Sequence, residues 1–99
     1  MRITRHAEKR TRLRLGLPKQ SVTKNAENAL QYGLAHKDTT GSLNRYITGL
    51  YLKHRSGNNI RIYCDTVYIF SGDKLITLFP LPQRYKKTAR SLTEKRKEE

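Results

Sequence analysis

The chain carries one cysteine, no tryptophan, three prolines and only eight acidic residues in 99 positions. Each scarcity closes off a class of protein. The single thiol, Cys64, cannot form an internal disulfide, and together with His6, His36 and His54 it shows no zinc-binding spacing. We expect no metal and no other cofactor. No run approaches the ~18 apolar residues of a membrane-spanning helix. The opening Met1-Arg2-Ile3-Thr4 leads into charge rather than into an apolar leader. Neither basic end carries the broad leucine or aromatic face that inserts into lipid. A soluble, cytoplasmic protein with no membrane partner is the expectation. Gly16, Gly33, Gly57 and Gly72 each have a turn to explain them, and they form no phosphate-binding fingerprint.

Positive charge is what the chain has in excess. Twenty-one Lys and Arg against eight Asp and Glu leave a net +13. The excess is uneven: residues 1–24 hold eight bases and one acid, residues 25–82 six and four, residues 83–99 seven and three. A polyanionic partner follows, because neutralising phosphates releases condensed counterions and gives even a small domain measurable affinity. Nucleic acid is the leading reading, ahead of an acidic protein surface or a merely solubilising charge.

The length fits one domain, read here as residues 1–82, with a basic, partly helical or disordered tail over 83–99. Thr4 is a candidate N-cap for a first helix ending at Gly16. Ser21 opens a second, in which Val22, Ala26, Ala29 and Leu30 form one stripe before Gly33. Pro18 lies in the short link, so the two helices should make a hairpin whose small alanines let a neighbour pack close. After the turn-formers of 35–42, three β-rich runs follow, Leu43–His54, Ile60–Phe70 and Leu75–Leu81. The middle run is long enough to divide at Cys64-Asp65, which reads as a bend or a bulge, with Cys64 a small buried hydrophobe. The predicted fold is α+β: an N-terminal helical hairpin packed on an antiparallel sheet of about four strands.

On the first helix His6, Arg10 and Arg14 are four residues apart, so they share a face and rise along it in ~6 Å steps. Two permanent cations beside a titratable imidazole suit a phosphate-bearing ligand. His6 has three readings: acid or base in cleavage, a half-buried structural residue, or a plain phosphate contact. Lys24 and Lys53 fit the rim of a basic surface, and Lys86, Lys87 and Arg90 a second contact on the tail. Tyr46, Tyr51, Tyr63 and Tyr68 fall on expected strands, where they either pack across strands or stack bases.

The opening Ile3-Thr4-Arg5-His6-Ala7-Glu8-Lys9-Arg10, the helix ending Tyr32-Gly33 and the closing Leu75-Ile76-Thr77-Leu78-Phe79-Pro80-Leu81 resemble the RelE/BrnT-like group. That group belongs to the barnase–EndoU–colicin–RelE superfamily of compact ribonuclease folds. The resemblance implies metal-independent RNA cleavage, by attack of a ribose 2′-hydroxyl on the adjacent phosphate. By that correspondence His6 would be the acid or base, and Arg10 and Arg14 would stabilise the developing charge. Arg61 and Tyr63 would hold phosphate or stack a base, and Thr77 occupies the polar place on the last strand. Glu8 points away from His6 on a helix, so no acidic partner for the imidazole is evident, and binding is favoured over cleavage. The sequence reading is a basic protein directed at nucleic acid, RNA before DNA, of ribonuclease-like fold. It leaves open a metal-independent endoribonuclease toxin. The alternative is a phage- or toxin-type modulator or inhibitor acting on an acidic protein or a ribonucleoprotein.

Overall fold

The structure is a computed structural model that describes residues 2–5, 7, 9, 19–54 and 57–97. Its elements in chain order are β1 (Arg2–Ile3), α1 (Lys19–Tyr32), a single 3-10 turn (His36–Asp38), α2 (Gly41–Lys53), β2 (Asn59–Tyr63), β3 (Thr66–Ser71), β4 (Lys74–Pro80) and α3 (Gln83–Lys97). The sheet runs β1-β4-β3-β2. β2, β3 and β4 are antiparallel, and β1 joins β4 in parallel through Arg2 and Ile3 alone.

The α+β class stands, with two corrections. The antiparallel sheet of about four strands has three, because Leu43–His54 is helix α2 rather than strand. Its Leu43, Tyr46, Ile47, Leu50 and Tyr51 recur at i, i+3, i+4, i+7 and i+8, a helical stripe that outweighs the β preference of tyrosine and isoleucine. Leu43, Ile47 and Leu50 are buried along it. The N-terminal hairpin is not established, since α1 is its second arm and most of the first arm lies outside the described residues. The start of that arm is seen: Thr4 Oγ1 accepts from the Ala7 N–H at 3.2 Å, as an N-cap does, and donates to the Ile76 carbonyl at 3.1 Å. One hydroxyl thus fastens the helical turn to β4.

Sequence pattern decides how the layers pack. β3 alternates, and both of its faces are covered. Val67 and Ile69, with Ile60 and Ile62 of β2, join Leu43, Ile47, Leu50, Leu81 and Ala89 in one apolar cluster under α2 and α3. Tyr68 and Phe70, with Leu75 and Leu78 of β4, meet Ala7, Val22, Ala26 and Ala29 on the side of α1. The small side chains of α1 allow the close approach they suggested. At its end Gly33 lies so near β2 that a Cβ there would come within 3.2 Å of both the Arg61 Cβ and the Ile62 carbonyl oxygen, and within 2.5 Å of the Ala29 carbonyl oxygen of α1 itself.

Tight turns set the register. Cys64 and Asp65 both take positive φ, 49° and 60°, which makes the β2–β3 link a two-residue turn of the primed type. Gly72, at φ 64°, serves the β3–β4 turn. The outer edge of β2 is capped. Leu34 exchanges two backbone hydrogen bonds with Ile62, at 2.8 and 3.0 Å, and the Ile60 N–H donates to the Tyr51 hydroxyl at 2.9 Å. These bonds use the groups that a second strand would need.

Beyond residue 82 the chain is a helix through Lys97. Tyr85, Ala89 and Leu92 pack it against the cluster that holds Ile47 and Leu81. The Tyr46 and Tyr85 rings stack at 4.6 Å between centroids and join α2 to α3.

Two substitutions test this architecture. Phe70→Ala, at a fully buried ring on the central strand, should cost about 3–5 kcal/mol, read as a lower urea midpoint. Gly49 lies inside α2, where an added Cβ would meet nothing within 4 Å, so Gly49→Ala should raise stability by about 0.5–1 kcal/mol.

Candidate nucleic-acid interface

Among the described residues, those singled out in the sequence do not gather on one face of the sheet. His6, Arg10 and Arg14 lie outside the described residues. Arg61 is on β2 and half-buried. Its Nε donates to Asn59 Oδ1 at 3.0 Å, and its Nη1 donates to the Gly33 carbonyl at 3.3 Å. Tyr63, two residues on, shares that side of β2 and packs at the margin of the cluster under α1. Lys24 is exposed on α1. Thr77 is buried and pairs with Ile69, on the opposite face of the sheet from Arg61 and Tyr63. A centre that used Arg61 and Thr77 together would have to pass through the sheet.

The expected aromatic platform is also redistributed. Tyr46 and Tyr51 belong to α2, where one stacks on Tyr85 and the other caps β2. Tyr68 is buried between the sheet and α1. Of the four, Tyr63 reaches a surface groove.

That groove lies at the end of the sheet where three elements meet. Tyr32 comes from the last turn of α1, Ile62, Tyr63, Cys64 and Asp65 from the end of β2 and its turn, and Arg90 and Thr93 from α3. Its volume is about 650 Å³, inside the ~300–1,000 Å³ range of small-molecule sites. Tyr32, 55 % exposed, stands at its lip. Cys64 is exposed rather than buried as its small apolar side chain suggested. A positive-φ turn at the end of a hairpin projects its side chains out of the sheet, whatever their polarity.

Asp65 organises the groove. Its backbone carbonyl accepts from the Leu81 N–H at 2.9 Å, which fixes the exit of β4. Its carboxylate pairs with Arg90, Oδ1 accepting from Nε at 3.3 Å and Oδ2 from Nη2. Hydrogen bonding to Asp65, reinforced by its charge, raises the Arg90 guanidinium above its ordinary value, so the group stays cationic. The Tyr63 phenol is held up by partial burial first and then by Cys64. Burial pushes Tyr68, behind it, up to about 12, with Cys64 and Tyr63 adding to the effect.

α3 supplies the charge around this groove. Seven of its fifteen residues are basic and one, Glu94, is acidic. With Tyr85, Ala89 and Leu92 turned to the core, Arg84, Lys87, Arg90 and Lys95 are exposed. Lys86, Arg90 and Thr93 follow one another at i, i+4 and i+7, and Arg90 and Thr93 line the groove. The basic character of Lys86, Lys87 and Arg90 is plain from the sequence. That Arg90 meets Asp65 is not, because the contact depends on how α3 docks.

Among the described residues no three His, Cys, Asp or Glu side chains gather into a metal-binding group, and no helix is long and apolar enough to cross a membrane. Comparison with family models, curated proteins and solved structures finds no match to this chain.

The tyrosines provide a pH test. A Tyr68 phenol at about 12 in the fold, against 10.0 for the free side chain, favours the neutral form. The unfolded chain therefore loses this proton first as pH rises. The stability tied to Tyr68 is fully present below pH 10 and is lost between about pH 10 and 12. The urea midpoint should fall across that window, and in Tyr68→Phe the fall should be smaller.

Proposed function

We propose that the protein binds nucleic acid, RNA in preference, through the exposed face of α3, and that it binds without cutting. The observation that carries this is the helix itself. One apolar stripe, Tyr85, Ala89 and Leu92, fixes it to the core, and the rest of its sequence holds seven basic residues against one acid. A helix that only needed to be soluble would mix its charges. One that is docked by an apolar stripe and strongly biased to one sign lays a row of cations along a surface, the arrangement that contacts successive phosphates. Arg84 lies over the Tyr85 ring, 5.1 Å from the guanidinium carbon to the ring centre, so even this exposed cation is held in place.

RNA is preferred over DNA on the resemblance to the RelE/BrnT-like group. Binding is preferred over cleavage because the charge pattern supports binding, while cleavage rests on His6, for which the sequence offers no acidic partner at helical spacing. The N-terminal segment, with eight bases and one acid through residue 24, adds to the same electrostatic attraction. A protein-directed modulator is the competing reading, and salt separates the two.

If about six phosphates are neutralised, the logarithm of RNA affinity should fall against the logarithm of salt with a slope of about −4 to −5. Lys87→Glu with Arg84→Glu should weaken binding at every salt concentration and flatten that slope. In a gel containing excess chelator the RNA should shift and stay intact. A nearly flat slope with recovery of one protein partner would favour the modulator, and cyclic-phosphate products lost in His6→Ala would replace binding with catalysis.

A further inference from the structure

The groove at the hairpin end does not follow from bulk charge, and its lining is unlike the outer face of α3. Among the described residues its walls are two tyrosines and Ile62, its one cation is Arg90, and its one acid, Asp65, is already engaged with that cation. We propose that this groove receives an unpaired nucleobase of a single strand whose phosphates run along α3. The inference rests on the nucleic-acid reading above and adds to it a preference for single strands.

Three features point to this occupant. The first is chemistry: aromatic side chains beside an arginine take up splayed bases, since every base has a π-face and its phosphate lies within reach of the cation. Tyr32 and Tyr63 supply the rings from two different elements, α1 and β2, so the groove has aromatic groups on two walls. The second is charge complementarity. Arg90 belongs both to the groove and to the basic helix, so a strand tracked by α3 meets the groove without a break in positive charge. The third is access. Both sheet faces are covered by helices, and Tyr68 and Phe70 are buried beneath α1. An open-sheet stacking surface is therefore absent from β3, whereas Tyr32, 55 % exposed, and the partly exposed Tyr63 face the groove. A paired base in a duplex keeps both faces stacked on its neighbours and cannot enter.

Asp65 then has a role in binding as well as in the fold. Its carboxylate holds Arg90 at the groove before a ligand arrives. A phosphate that engages Arg90 meets a cation already in position, and it competes with a carboxylate for it.

The chain's one cysteine provides a direct reading of occupancy, because Cys64 is exposed and lines the groove. Fluorescein-labelled oligouridylate and an RNA duplex of equal length can be titrated against the full chain. Thiol alkylation of Cys64 is followed in parallel. We expect tighter binding of the single strand, slower alkylation when it is bound, and about a 5- to 100-fold weaker single-strand affinity in Tyr32→Ala. The duplex affinity of that variant should be unchanged. Tyr63 is partly packed, so Tyr63→Phe, which keeps the ring, should retain affinity and serves as its check. Equal binding of the two RNAs, with Cys64 alkylated at the same rate and Tyr32→Ala without effect, would overturn the groove and leave the electrostatic reading intact. Failure of both RNAs to bind at low salt would overturn both.

Discussion

The burial of β3 on both faces is the constraint from which the rest of the structure follows. Val67 and Ile69 must be covered on one side, and Tyr68 and Phe70 on the other, so a sheet this small needs helices in two layers. α1 serves one side with alanines, which let its backbone come close. α2 and α3 serve the other with leucine, isoleucine and tyrosine. Once both faces are spent, function is confined to helix outer surfaces and to the ends of the strands. A basic protein of this plan has no open sheet on which to lay RNA. Its charge is excluded from the interior by the cost of desolvation, and among the described elements α3, with seven basic residues and one acid, carries the largest share.

Much of the fold is legible in the sequence because short-range chemistry agrees with long-range packing. The stripe Val22, Ala26, Ala29 marks α1, and the alternation Thr66 to Phe70 marks β3 with the correct facing of each residue. The bend at Cys64-Asp65 separates two strands that a purely apolar reading would join. α2 is the exception, because Tyr46, Ile47 and Tyr51 favour strands as residue types while their spacing favours a helix. Spacing prevails, since burying all of them on one side is worth more than propensity differences that span only ~1 kcal/mol in total. The parallel strand Arg2–Ile3 is not legible at all. Two residues carry no periodicity, and their pairing is with Lys74 and Leu75, some seventy residues on, continued by the Thr4 N–H donating to the Leu75 carbonyl at 3.0 Å.

The candidate site is less legible for a different reason. Sequence spacing relates residues on one element, and the groove is built from three. Tyr32 ends a helix, Tyr63 ends a strand, and Arg90 sits in the middle of a segment whose charge marks it as a tail. The helical spacing of Tyr85, Ala89 and Leu92 suggests that a short helix docks here, but not onto which surface. Tyr85, Ala89 and Leu92 make a thin stripe, and they become a packing surface only because α2, whose residue types disguise it as a strand, places Tyr46 opposite Tyr85. The strand expected at Leu43–His54 and the tail expected at residues 83–99 are therefore linked, since without a helix at Gly41–Lys53 the second layer has no floor for α3.

Asp65 shows how closely fold and site are joined at this end of the molecule. A primed two-residue turn needs positive φ at both positions, which short polar residues tolerate better than branched ones, and Asp65 meets that need. The same residue accepts the Leu81 N–H through its backbone, so the turn and the exit of β4 are held together. Its carboxylate, left outside the turn, reaches Arg90 and thereby sets where α3's middle lies relative to β2. A glycine at this place would satisfy the turn and the β4 contact, but would leave α3 positioned by its apolar stripe alone. The acid in a chain so short of acids is thus placed where one negative charge can orient a cation that the surrounding excess of positive charge would otherwise push outward.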